Sequence, residues 1–123
     1  MGNDLPKQNL IKEDIQMFLP FITKLAGVSF DYRQANIKKW GCDDIRYFSL
    51  QREPNNPHDS NAIGVWFLDD QLGYLGASVA RKLAPLMDAG LKPTAKFICQ
   101  NQCGPNSWVG LTVEIIEDGC DGI

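Results

Sequence analysis

The sequence predicts a mainly β, α+β domain in which five or six short strands curl into a small barrel with helices at its edges. Runs rich in β-branched and aromatic residues recur at short intervals, each bounded by Gly, Pro, Asn or Asp. Helical patterning is confined to short segments between and beside those runs. This arrangement favours a barrel or strongly curved sheet over a layered α/β fold. With 123 residues, 44% of them hydrophobic and 22% charged, the chain suits one domain with its own core.

Taken in order, Leu10–Leu19 carries Ile11, Ile15, Phe18 and Leu19 on one helical face, with Asn9 as a cap and Pro20 as a stop. Phe21–Phe30 reads as a strand bent at Gly27, and Arg33–Trp40 as a short helix. Arg46–Gln51 and Ala62–Leu68 are strands separated by a loop with two prolines, Pro54 and Pro57. Asp69-Asp70 is predicted to turn that second strand into a return arm, Gln71–Leu75. Ala77–Ala89 is a helix with Ala80, Leu83, Ala84 and Met87 on one side, a kink expected at Pro85, and Gly90 as its stop. Pro93–Gln100 and Trp108–Ile116 are the last strands, joined by a loop containing Gly104-Pro105. The expected division is an N-terminal helical extension over 1–20, a barrel domain over 21–117 and a flexible tail over 118–123.

Several function classes find no support. No uninterrupted apolar stretch approaches the ~18 residues of a membrane-spanning helix. The start, Met1-Gly2-Asn3-Asp4, lacks a basic region followed by an apolar one, and Pro6 stands where a myristoylation pattern wants Ser or Thr. A cytoplasmic chain with reduced thiols is expected. Of the four cysteines, Cys99 and Cys103 have half of a zinc-site spacing, but no second pair follows and His58 is the only histidine. No cofactor is therefore expected, with zinc at Cys99 and Cys103 the alternative. Nucleophile–base constellations would all depend on His58, and neither a nucleophile elbow nor a phosphate-binding glycine loop is present, so no enzyme activity is expected. The net charge of −3 argues against a long cationic groove for nucleic acid, although a small pocket for one or two nucleotides needs few cations.

One stretch is more specific. Arg52-Glu53-Pro54-Asn55-Asn56-Pro57-His58-Asp59-Ser60-Asn61-Ala62-Ile63-Gly64-Val65 resembles the signature R-E/D-P-x-N-P-Y/H-D-x-N-A-I-x-V of the HIRAN domain family. Leu72-Gly73-Tyr74-Leu75 and the helix Ala80–Gly90, including Pro85, are similar to the elements that follow in that family. The resemblance spans roughly Phe21 to Ile116. It implies a small OB-like six-stranded barrel with two or three flanking helices. Family members occur fused to helicases and ubiquitin ligases, and alone in bacteria; this chain looks like the stand-alone kind. Helicase-fused members grip the 3′ end of single-stranded DNA in a pocket, stacking aromatic rings on the last bases while an Asp accepts a hydrogen bond from the terminal 3′-OH.

By position, the resemblance gives the 3′-OH acceptor to Asp59. His58 stands where the helicase-fused members have Tyr, Phe30 falls near their first-strand aromatic, and Tyr74 sits close to the same mouth. Arg33 and Arg52 complete the expected nucleic-acid-binding set. Two positions depart: Ser29 and Ala77 stand where the family has phosphate-contacting basic residues, with Arg33, Arg52, Arg81 and Lys82 the nearby cations available to compensate. The late-strand aromatic falls nearest Phe97 or Gln100. From the residues alone, Asn55, Asp59 and Asn61 equally suit Asx-turns that satisfy loop amides, and Arg52 suits a pair with Glu53 or Asp59. An interaction or homo-oligomerising domain without nucleic acid is the alternative function, suggested by the acidic balance, the Leu10–Leu19 face and the tryptophans Trp40, Trp66 and Trp108.

Overall fold

A computed structural model describes residues 19–29, 31–40, 46–101 and 109–117. The elements run β1 (Phe21–Ala26), α1 (Asp31–Trp40), β2 (Tyr47–Arg52), β3 (Ile63–Phe67), β4 (Asp70–Leu75), α2 (Ala77–Asp88), β5 (Pro93–Asn101) and β6 (Gly110–Glu117). The six strands close into a barrel in the order β1-β4-β3-β2-β5-β6. Every neighbouring pair is antiparallel. This is the small six-stranded barrel with flanking helices that the sequence predicts. The Leu10–Leu19 segment lies, except for buried Leu19, outside the described residues.

Alternation along the strands fills the interior. In β2, buried Phe48 is flanked by exposed Tyr47 and Ser49; in β6, Leu111, Val113 and Ile115 are all fully buried. Ile63 and Val65 of β3 and Ala95 of β5 meet them inside. The apolar face of α2, made by Val79, Ala80, Leu83 and Ala84, closes over this core. The helix runs on through Pro85 to Asp88. It ends where expected: Gly90 adopts φ 116°, its amide donates to the Met87 carbonyl (3.0 Å), and the Leu91 amide donates to the Leu86 carbonyl (2.9 Å). That is a Schellman motif, which favours glycine at its left-handed position.

The β3–β4 hairpin turns one residue earlier than the sequence predicts. Phe67 pairs with Asp70, so Leu68 and Asp69 form the turn and Asp70 already belongs to β4. Exposed Leu68 is left at φ 56°, a conformation that glycine or asparagine adopts at lower cost. The acidic pair misleads because Asp is a common turn residue, whereas here the register of Phe67 decides.

Helix α1 is a strap laid along β4. Residues 33, 36 and 40 share one helical face. The Arg33 guanidinium lies over the Tyr74 ring at 5.0 Å, Asn36 Nδ2 donates to the Gln71 carbonyl at 2.7 Å, and Trp40 Nε1 donates to Asp70 Oδ2 at 2.7 Å. Gln34 fixes the other flank by donating to the carbonyls of Val28 and Val109 and accepting from the Val109 amide. These bonds place the start of α1 at the junction of β1 and β4.

Candidate ligand pocket

The loop between β2 and β3 is built by its own polar groups. The Glu53 amide donates to the Ala62 carbonyl (2.9 Å), which closes the loop's neck. Asn56 Oδ1 accepts from the amides of His58 (2.8 Å) and Asp59 (3.2 Å), and Asp59 Oδ1 accepts from the Asn61 amide (2.9 Å). These are side-chain-closed turns of the Asx kind. Asn56, and not Asn55, supplies the first of them.

Arg52 locks this loop to the far end of α2. Its Nε and Nη2 grip the two oxygens of the Asp88 carboxylate at 3.0 and 3.1 Å, while Nη1 donates to the carbonyls of Ser60 and Ala62. The fork geometry uses arginine's fixed set of donors. The partner differs from the Glu53 or Asp59 that sequence proximity suggests, because Asp88 is brought in by the fold.

Beside this loop opens a cavity of about 440 Å³, lined by Gly27, Arg33, Asn56, His58, Asp59, Ala62, Tyr74, Leu75 and Ala77. Four of the sequence-predicted residues therefore meet on one cavity: Arg33, His58, Asp59 and Tyr74. Arg52 is not on its wall. Phe30 lies outside the described residues, as does Cys103, while Cys99 is exposed on β5. Ser29, Arg81 and Lys82 are exposed and do not line the cavity, whereas Ala77, the other position that departs from the family pattern, does. Phe97 packs against the core, and Gln100 donates to the Ile37 carbonyl at 3.3 Å. Among the described residues no three His, Cys, Asp or Glu side chains converge as metal ligands would.

Each wall residue is held differently. Arg33 is only 8% exposed and its Nη1 donates to the Gly27 carbonyl at 2.7 Å, so its guanidinium is a fixed plane. Gly27 stands at φ 63°, and a Cβ there would come within 3.1 Å of that same Nη1; a side chain would meet both backbone strain and the guanidinium. The Tyr74 hydroxyl donates to Glu53 Oε1 at 2.9 Å, and the same oxygen accepts from Asn56 Nδ2 at 2.9 Å. Glu53 thus joins the ring on the barrel to the loop that carries Asp59. Gly64 leaves room for it: a Cβ there would lie 3.1 Å from Glu53 Oε2 and 2.8 Å from Trp66 Nε1. The Asp59 carboxylate is half-buried and keeps Oδ2 clear of hydrogen bonds to described residues. His58 is exposed at the rim.

Sequence reasoning placed the first Asx turn on Asn55 and missed Glu53 as a site residue. The role of Glu53 depends on Tyr74 arriving from another strand, and no local pattern announces it.

A closed small barrel with a preformed, partly apolar cavity and a few fixed polar groups has the form expected of a ligand-binding module. The chain belongs to the HIRAN domain family: the family profile, described as the HIRAN domain, matches residues 22–115. Over 41 residues it is 54% identical to the helicase-like transcription factor of Oryctolagus cuniculus, a match that covers 32% of this chain and 4% of that protein. A solved structure of a protein from Lactobacillus plantarum is similar over 76% of this chain and 87% of that one, with 25% identity and a TM-score of 0.60. The crystal structure of the HIRAN domain of human HLTF matches over 77% of this chain and 73% of that one, with 23% identity and a TM-score of 0.49.

Proposed function

We propose that this chain is a non-catalytic nucleic-acid-binding module whose cavity takes the 3′ end of single-stranded DNA. Membership of the HIRAN family supports the binding role. The observation that carries the finer reading is the Asp59 carboxylate, held by the Asn61 amide through one oxygen and, among the described residues, unbonded through the other, on the same cavity wall as a tyrosine ring and an arginine.

The chemistry follows from these groups. A terminal 3′-hydroxyl donates to Asp59 Oδ2, and a hydrogen bond to a charged acceptor is worth about 1.5–3 kcal/mol. Asp59 does not have to be ordered on binding, because the turn around Asn56 already fixes it. The Tyr74 ring, restrained by Glu53 and Arg33, offers a face to the terminal base, and the His58 imidazole lies at the rim where a base or phosphate enters. No step of this reading breaks or makes a covalent bond, and none needs a metal or cofactor.

Affinity is expected to be micromolar or weaker, since the net charge of −3 supplies little phosphate neutralisation. Fluorescence anisotropy with short 5′-labelled oligonucleotides tests the reading. A free 3′-OH should bind at least about tenfold tighter than a 3′-phosphate, whose charge faces the carboxylate. Equal binding of the two ends defeats end recognition; binding of neither near physiological salt defeats the nucleic-acid reading as a whole.

A further inference from the structure

Glu53 stands off the cavity wall, yet two wall residues are bonded to it. Its Oε1 accepts from the Tyr74 hydroxyl and from Asn56 Nδ2, both at 2.9 Å. A carboxylate only accepts, so it dictates which end of the Asn56 carboxamide faces it. The amino end turns to Glu53, and the carbonyl end is left for the amides of His58 and Asp59. The main chain repeats the tie. The Asn56 amide donates to the Glu53 carbonyl at 3.0 Å, and the Glu53 amide donates to the Ala62 carbonyl at 2.9 Å.

The second oxygen of Glu53 faces the barrel. A Cβ on Gly64 would lie 3.1 Å from Glu53 Oε2, 2.8 Å from Trp66 Nε1 and 3.2 Å from Gln71 Nε2, so these three atoms surround one point. Trp66 Nε1 is buried and makes no hydrogen bond among the described residues. A buried donor left so is costly, and Glu53 Oε2 is an acceptor beside it. The register of β3 against β4 shifts between Val65 and Trp66, and an irregularity of this kind re-aims a side chain. Glu53 therefore sits between the barrel and the loop, with polar groups of both turned towards it.

We propose that Glu53 is a positioning residue that fixes the spacing between the Tyr74 ring and the Asp59 carboxylate. The inference rests on the nucleic-acid reading of the cavity and deepens it. One oxygen binds the ring and the loop together, so neither shifts without the other. The spacing they keep is the separation of base and 3′-hydroxyl within a single nucleoside. Glu53 touches neither group of the ligand and acts through Tyr74 and Asn56. It selects ligands by shape, because a ring and an acceptor held at one distance favour an end whose base and hydroxyl match it.

Fluorescence anisotropy with a 5′-labelled tetrathymidylate ending in a free 3′-OH tests this in a double-mutant cycle. In the native chain Glu53→Ala should weaken binding about tenfold, the scale of one hydrogen bond to a charged acceptor. In an Asp59→Asn chain the same substitution should weaken it by less than about twofold, since the spacing no longer serves that acceptor. Glu53→Gln keeps the shape and weakens both bonds, and it should repeat the pattern at about threefold even where the alanine variant does not fold. Losses that simply add across the cycle mark a role in general stability and overturn the proposal. A Glu53→Ala chain that binds as tightly as the native one overturns it too. Both outcomes leave the pocket reading standing so long as the native chain prefers a 3′-OH to a 3′-phosphate. A native chain without that preference overturns the reading and the proposal together.

Discussion

The two ends of α1 place the same kinds of side chain in opposite service. At its C-terminal end Trp40 packs against Phe67 with ring centres 4.6 Å apart, Phe67 meets Phe48 edge-on at 5.9 Å, and the Arg46 guanidinium covers both Trp40 and Phe67. At its N-terminal end Arg33 lies over Tyr74 and Tyr32, and a cavity opens beside it. In the first cluster rings touch rings, and the indole N–H is satisfied by Asp70. In the second, each tyrosine meets a cation, and the Tyr74 hydroxyl is spent on a loop carboxylate. Residue type therefore does not separate a packed cluster from a cavity wall. Among the described residues, a second ring fills the space beyond the first at one end, and a cavity opens at the other.

Substitutions at the two ends should have separable effects. Trp40→Ala removes the centre of the packed cluster and should cost about 3–5 kcal/mol in chemical denaturation, with oligonucleotide binding by the remaining folded protein unchanged. Asp59→Asn keeps an acceptor for the Asn61 amide but loses the charge. It should cost about tenfold or more in affinity for a 3′-OH end and erase the preference over a 3′-phosphate, with stability almost unaltered. Tyr74→Phe retains the ring under Arg33 but deletes the bond to Glu53; a loss of about 1 kcal/mol in stability is expected, together with faster amide exchange at His58 and Asp59. Leu68→Gly, at the turn next to the packed end, relieves a left-handed backbone at an exposed position and should raise stability by up to about 1 kcal/mol. A destabilised Asp59→Asn, or a Trp40→Ala that binds DNA poorly while folded, would dissolve the distinction between the two ends.

The barrel was legible because strands announce themselves locally. The alternation around Phe48, the run at Ile63–Phe67 and the glycine stop at Gly90 all arise from residues close in sequence. The loop signature likewise brought His58 and Asp59 together, and Tyr74 and Arg33 join them on the cavity. Contacts made across the fold were not legible. Arg52 carries the same charge wherever it points, and only the position of Asp88 at the end of α2 turns it away from the cavity and into a clamp. Glu53 reads as an ordinary loop acid until Tyr74 is laid beside it. The hairpin was misplaced by one residue because the pairing of Phe67 with Asp70 outweighs the turn preference of two adjacent aspartates.

The barrel's hydrogen-bonded circumference is uneven. β5 and β6 pair along nearly their whole lengths, but β1 and β4 meet only at Leu25↔Leu75 and Ala26↔Tyr74. That short seam ends against the cavity, since Gly27, Tyr74 and Leu75 all stand on its wall. A molecule resting there would bridge the two strands where few backbone bonds do so, and occupancy would act as a stitch across one of the two shortest joins in the sheet. Hydrogen exchange should therefore slow at Ala26 and Leu75 more than anywhere in β5 or β6 when the site fills.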